Sequence, residues 1–206
     1  MSASAQPTSG FSATQPWKDL LAELLPGQGE WSEEEYLVLT EHRNRLVEFT
    51  DGFLEALPVP TDKHQAILGF LYLVFLKFVE PAAGKVRFSP LRLRVRPGKY
   101  REPDLLLLRS ATDPRRHERF WEGADLALEV VSEEKPERDL VDKRRDYAEA
   151  RVPEYWIVNS LTGTISVLCL REDHYEEAGV YRRGESAASP LLPGFSVSVT
   201  DVLDAD

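Results

Sequence analysis

The sequence predicts an α/β fold, with a mixed central β-sheet flanked by helices and preceded by an N-terminal helix and a hairpin. Three patterns lead there. Leu105-Leu106-Leu107-Leu108 and Asp125 to Val131 are short aliphatic runs, the pattern of strands buried on both faces. A helical stretch from about Glu137 to Ala150 separates the second run from Glu154 to Asn159, so that strand, helix and strand form a βαβ crossover. Earlier, Asp51-Gly52 lies between two short strand-like runs, a strong hairpin signal.

The elements follow in order. Ser32-Glu33-Glu34-Glu35 has the capping-box spacing and predicts a helix to about Asn44. Leu46 to Thr50 and Phe53 to Leu57 are the hairpin strands, ended by Pro58 and Pro60. Thr61 or Asp62 caps a long apolar helix from about Lys63 to Val79, stopped by Pro81 and Gly84; its all-round apolarity predicts a well-buried helix. From Lys85 to Arg96 the chain is strand-like. Leu91, Leu93 and Val95 alternate with Arg92, Arg94 and Arg96, which predicts an apolar face and a solvated arginine face. Pro97-Gly98 turns the chain, Pro103 to Leu108 is the next strand, and Asp113 to Glu122 reads as a polar connection. After the crossover comes a strand at Ile165 to Leu170, and the tail from Tyr175 holds one or two short strands.

Length and composition bound the functions. The 206 residues suit one domain, expected at 17–206 behind a disordered Ser/Ala/Thr/Gln/Pro-rich tail at 1–16. No apolar run approaches the roughly 20 residues of a membrane span, so no membrane association is expected. The single cysteine, Cys169, excludes an internal disulfide and a cysteine-rich zinc site, and a reducing cytoplasm is expected. No phosphate-binding Gly-Lys-Ser/Thr loop, dinucleotide fingerprint, zinc helix or nucleophile elbow is present. The net charge of −10 opposes non-specific binding of long duplex DNA, although positive charge clusters at Arg92 to Arg101, Arg115 to Arg119 and Lys143 to Arg145.

Two carboxylates stand out. Asp104 opens the run of four leucines, and Glu129 sits between Leu128 and Val130. A carboxylate in or beside a buried strand is costly unless paired, and two of them suggest a shared hard divalent cation. Asp139, Lys143 and Tyr147 recur at a spacing of four, which puts them on one helix face. Acids and a lysine together make a kit for metal-assisted phosphodiester hydrolysis.

Pro103-Asp104, Glu129-Val130-Val131-Ser132, the helix bearing Asp139, Lys143 and Tyr147, and Pro153 to Val158 resemble the Uma family of restriction endonucleases, within the PD-(D/E)XK nuclease superfamily. Glu48 with Asp51-Gly52, and His64 opening the long helix, agree; the resemblance covers roughly Ser32 to Leu170. It implies a restriction-endonuclease-like core and a Mg²⁺-dependent (or Mn²⁺-dependent) endonuclease acting on DNA. Asp104 and Glu129 would then hold the metal, with the Val130 carbonyl as a further ligand and Glu48 as an additional acid. The superfamily's lysine lies two residues after the second acid, where this chain has Val131; Lys143 on the following helix fits the migrated place. Arg151 stands where a glycine is common. A homodimer would suit a double-strand cutter.

Bland readings stand beside these. Asp104 could cap the Pro103 turn or pair with Arg101 or Arg109, and Glu129 could sit on an edge strand. Asp139 and Lys143 have the spacing of an ordinary salt bridge, worth about 0.3–0.5 kcal/mol. Tyr147 is more often a packing residue, His64 a helix-start or core histidine, and Ser132 a loop-capping residue. The rival to an enzyme is a nuclease-fold protein that has lost catalysis and serves as a binding or regulatory module.

Overall fold

The structure, a computed structural model, describes residues 25–41, 46–132 and 137–206. The tail expected at 1–16, the end of the first helix beyond Glu41 and most of the charged loop after Ser132 lie outside the described residues.

Helix α1 (Glu33–Glu41) starts with the predicted capping box: the Ser32 N–H donates to Glu35 Oε2 at 2.8 Å, and the Glu35 N–H donates to Ser32 Oγ at 3.2 Å. Strands β1 (Val47–Thr50) and β2 (Phe53–Ala56) form the hairpin. Asp51 and Gly52 both take positive φ, 47° and 88°, the turn whose twist matches the strands. β1 continues into a five-stranded sheet of order β2-β1-β5-β4-β7, with β4 (Arg92–Arg96), β5 (Lys99–Arg101) and β7 (Phe120–Trp121). Tyr36 of α1 stacks on Phe49 at 5.1 Å between ring centroids and packs against Tyr100, which fastens α1 to this sheet.

A second, six-stranded sheet has the order β11-β10-β9-β8-β6-β3. Its strands are β3 (Lys85–Phe88), β6 (Leu105–Leu108), β8 (Leu126–Val130), β9 (Glu154–Asn159), β10 (Thr164–Arg171) and β11 (His174–Arg182). Within it only β8 and β9 run parallel, the pair joined by the predicted crossover. The continuous apolar runs now have a cause. Leu105 and Leu107 pack on one face of the sheet with helix α2 (Asp62–Val79), while Leu106 and Leu108 pack on the other with helix α3 (Lys143–Glu149). In β8, Leu126 and Leu128 face α2, and Ala127 faces α3. By the same alternation Glu129 belongs to the α3 side. A two-stranded ribbon, β12 (Ser186–Ala188) with β13 (Ser196–Ser198), and helix α4 (Val199–Leu203) close the α2 side.

Several expectations change. The Asp113–Glu122 connection contains β7, which pairs in parallel with β4. The tail holds the nine-residue β11, besides the ribbon and α4. The arginine face of β4 is only partly solvated: α1 lies over its start, where Arg92 is buried with its guanidinium 5.5 Å above the Tyr36 ring, Arg94 reaches Glu122 at 3.0 Å, and Arg96 keeps 38% of its side chain exposed. Helix α2 buries one stripe, Ile67, Leu68, Leu71, Phe75 and Val79, and leaves Leu73 64% exposed, so its apolarity exceeds its burial. With its extension to Ala82 it spans 21 residues at mean hydropathy 1.4, long and apolar enough to cross a membrane by composition, contrary to the expectation from sequence. Core packing against the six-stranded sheet accounts for the inner stripe. Finally, the helix expected from Glu137 begins as a π turn, Arg138–Asp142. The Lys143 N–H reaches back to the Arg138 carbonyl, while the Asp139 carbonyl accepts instead from the Tyr155 hydroxyl at 2.8 Å.

Candidate active site

Three elements meet at the carboxyl end of β8. The first turn of α2 is started by Thr61, whose side chain accepts from the His64 N–H. That turn presents the His64 ring, with Nε2 3.0 Å from Asp104 Oδ2. The Val130 N–H donates to the same oxygen at 2.8 Å, so Asp104 is held from both sides at the start of β6. Glu129, fully buried in β8, faces α3: Lys143 Nζ lies 2.7 Å from its Oε2, and the Tyr147 hydroxyl donates to Oε1. Lys143 also pairs with Asp139 at 3.1 Å, and Asp139 accepts from the Ser132 N–H at 3.2 Å. The spacing of four therefore converges on Glu129, and the bridge between Asp139 and Lys143 is buried rather than an exposed helix pair.

These groups line one cavity of about 200 Å³. Asp104, Glu129, Val130, Ser132, Asp139, Lys143 and His64 form its polar side, and Leu46 with the Leu57–Pro60 segment forms an apolar side. Tyr147 lies beneath, on Glu129. Glu48 is not in the lining: it sits behind Arg138, pairs with it and with Arg101 at 3.3 Å, and accepts from the Glu102 N–H at 3.1 Å. Among the lining residues that were not foreseen are Glu102 and Arg138. Their only sequence signal is adjacency, two residues before Asp104 and one before Asp139.

Burial pushes the Glu129 carboxyl well above the usual carboxylate range; Lys143 opposes this, and Asp104 and Asp139 add to it. Burial disfavours the charge of Lys143, but Glu129 and then Asp139 hold its ammonium above the ordinary lysine range. For Asp104, burial raises and the His64 hydrogen bond lowers, and the second effect wins. His64 mirrors it: burial lowers its pKa, and the bond to Asp104 raises it above the usual value.

Asp104 and Glu129 are hard oxygen donors on one cavity wall. Among the described residues no group of three or more His, Cys, Asp or Glu is gathered for a metal. That donor set fits Mg²⁺, which keeps several waters and is commonly held by one or two carboxylates plus substrate phosphate. The hydrogen bonds from Lys143 and Tyr147 leave Glu129 lone pairs for a cation.

A mixed sheet flanked by helices, with one parallel strand pair whose carboxyl end carries the cavity, is a restriction-endonuclease-like fold. The chain belongs to the Uma2 family, described as "Putative restriction endonuclease", whose profile matches residues 33–200. It is similar in fold to a solved protein described as "a putative nuclease belonging to DUF820" from Anabaena variabilis. That likeness has a TM-score of 0.68 at 18% identity, over 84% of this chain and 97% of the other. No curated protein matches the chain.

Proposed function

We propose that this protein is a metal-dependent endonuclease that hydrolyses DNA phosphodiester bonds, with Asp104, Glu129 and Lys143 as its catalytic residues. The observation that carries the reading is the meeting of Asp104, Glu129 and Lys143, from three separate elements, on one cavity. Family membership and the solved relative's fold support the same chemistry. Asp104 and Glu129, with the Val130 carbonyl, would hold Mg²⁺ or Mn²⁺, which when bound supplies Lewis acidity and an activated water. His64 and the Val130 N–H orient Asp104; Tyr147 orients Glu129. Lys143, kept cationic by its carboxylates, holds positive charge where a phosphate oxygen becomes more negative.

Nicking of supercoiled plasmid tests this. Wild type should nick with Mg²⁺ or Mn²⁺ and not in EDTA. Asp104→Asn and Glu129→Gln should lose activity with the fold intact by circular dichroism, and Lys143→Met should lose roughly 100-fold or more. Wild-type cleavage by either carboxylate variant would sink the assignment. One observation favours a second reading, a non-catalytic nuclease-fold binding module: Lys143 is already held by two carboxylates. Wild type that binds DNA but does not cleave it, whichever divalent metal is supplied, would establish that reading instead.

A further inference from the structure

Arg138 is a cation of the cavity to which the chemistry above gives no task. Four basic side chains line the cavity among the described residues: Lys63, His64, Arg138 and Lys143. Lys143 is held by Glu129 and Asp139, His64 faces Asp104, and the Lys63 ammonium donates to the Ala205 carbonyl at 2.8 Å. Arg138 opens the π turn that also carries Asp139 toward the cavity. Its side chain is 12% exposed, and its two acidic partners are unequal. Glu48 is buried and hydrogen-bonded to Nη2. Glu55 is more than half exposed, and its Oε1 lies 3.7 Å from Nη1, beyond hydrogen-bond distance. Guanidinium carries five N–H donors in a planar fork that matches two phosphate oxygens, and Glu48 engages one end of it.

We propose that Arg138 binds a backbone phosphate of the nucleic-acid substrate, with Glu48 as its buried anchor and Glu55, more exposed and 3.7 Å away, as a competitor that the phosphate displaces. The proposal rests on the nuclease reading and names a substrate contact for it. It also gives Glu48 a task other than metal ligation: the acid fixes the arginine. An arginine that served only packing would show no dependence of DNA affinity on Glu55.

The test is fluorescence anisotropy of a short labelled DNA duplex, titrated with full-length protein in Ca²⁺ at several salt concentrations. Arg138→Ala should weaken binding about tenfold, the worth of one charge-assisted hydrogen bond. It should also lower the slope of log Kd against log salt by about 0.9, one phosphate contact. Because Arg138→Ala leaves Glu48 buried and unpaired, two milder variants accompany it. Arg138→Lys keeps the charge without the fork and should bind between wild type and Arg138→Ala. Glu55→Gln leaves Arg138 in place, removes the competitor and should bind DNA more tightly than wild type. Wild-type affinity and salt slope in Arg138→Lys, together with no tightening in Glu55→Gln, would overturn the proposal while leaving the nuclease reading standing. Absence of DNA binding by wild type would overturn both.

Discussion

Arg151 shows how one backbone angle tells against a side chain. Helix α3 ends in a Schellman arrangement: the Val152 N–H donates to the Tyr147 carbonyl and the Arg151 N–H to the Ala148 carbonyl, both at 3.0 Å. That arrangement needs a left-handed residue after the cap, and Arg151 occupies it at φ 58°. A side chain there costs on the order of 1–2 kcal/mol, which glycine avoids. Arg151 recovers part of this through a hydrogen bond to the Glu172 carbonyl. Arg151→Gly is expected to stabilise the protein by about 0.5–1 kcal/mol, since glycine also costs more unfolded-state entropy. Urea unfolding checks this; a lower midpoint in the variant would mean that the Glu172 contact outweighs the strain.

Helix α2 carries two faces of opposite consequence. Phe75 is fully buried, stacked on Phe195 at 4.4 Å and edge-on to Trp156 at 5.5 Å. Phe75→Ala should therefore cost about 3–5 kcal/mol through lost transfer energy and a cavity. Leu73, two residues away, projects outward, and Leu73→Gln should change stability by less than about 0.5 kcal/mol. Thermal unfolding of the pair measures both. A large loss for Leu73→Gln would show that the outer face is covered in solution. The π turn before α3 is the other element whose shape has consequences. By diverting the Asp139 carbonyl to Tyr155 it lets Arg138 and Asp139 share the cavity with Lys143.

Across the molecule, the candidate cavity adjoins a largely buried charge network in which Arg101 and Arg138 meet Glu48. Glu102 lies within it, accepting from the Val47 N–H at 3.0 Å and lying 3.7 Å from Arg92. Burial, opposed by Arg92 and reinforced by Glu48, pushes its carboxyl up to about 8. A carboxyl with a folded pKa above its unfolded value binds its proton more tightly when folded. Its contribution to stability is thus fully present below the ordinary 4.5 and is lost as pH rises toward about 8. The slope from one such group is at most about 1.4 kcal/mol per pH unit. Unfolding measured across this range in EDTA should show stability falling with pH, and Glu102→Gln should flatten that fall. An unchanged slope in the variant would assign the dependence to another group.

Much of the chain's local order is legible in its residues. The Ser32–Glu35 cap, the Asp51-Gly52 hairpin, the Thr61 start of α2 and the β8–helix–β9 crossover depend on neighbours within a few positions, and periodicity reports them. The pairing of Glu129 with Lys143 was half legible: the spacing of Asp139, Lys143 and Tyr147 set their common face, but nothing local said which strand that face would meet. Other features depend wholly on packing between distant segments. The arginine stripe of β4 alternates as a solvated strand would, and only α1 folding over it buries Arg92. Phe120 and Trp121 become a strand because β4 offers them a free edge. The membership of Arg138 and Glu102 in the cavity has the same origin. Sequence alone determined which short segments could be helix or strand and which carboxylates would be costly to bury. Tertiary structure decided which charges neutralise those carboxylates, because that choice is made through space by groups up to 90 residues apart, as Glu48 and Arg138 are.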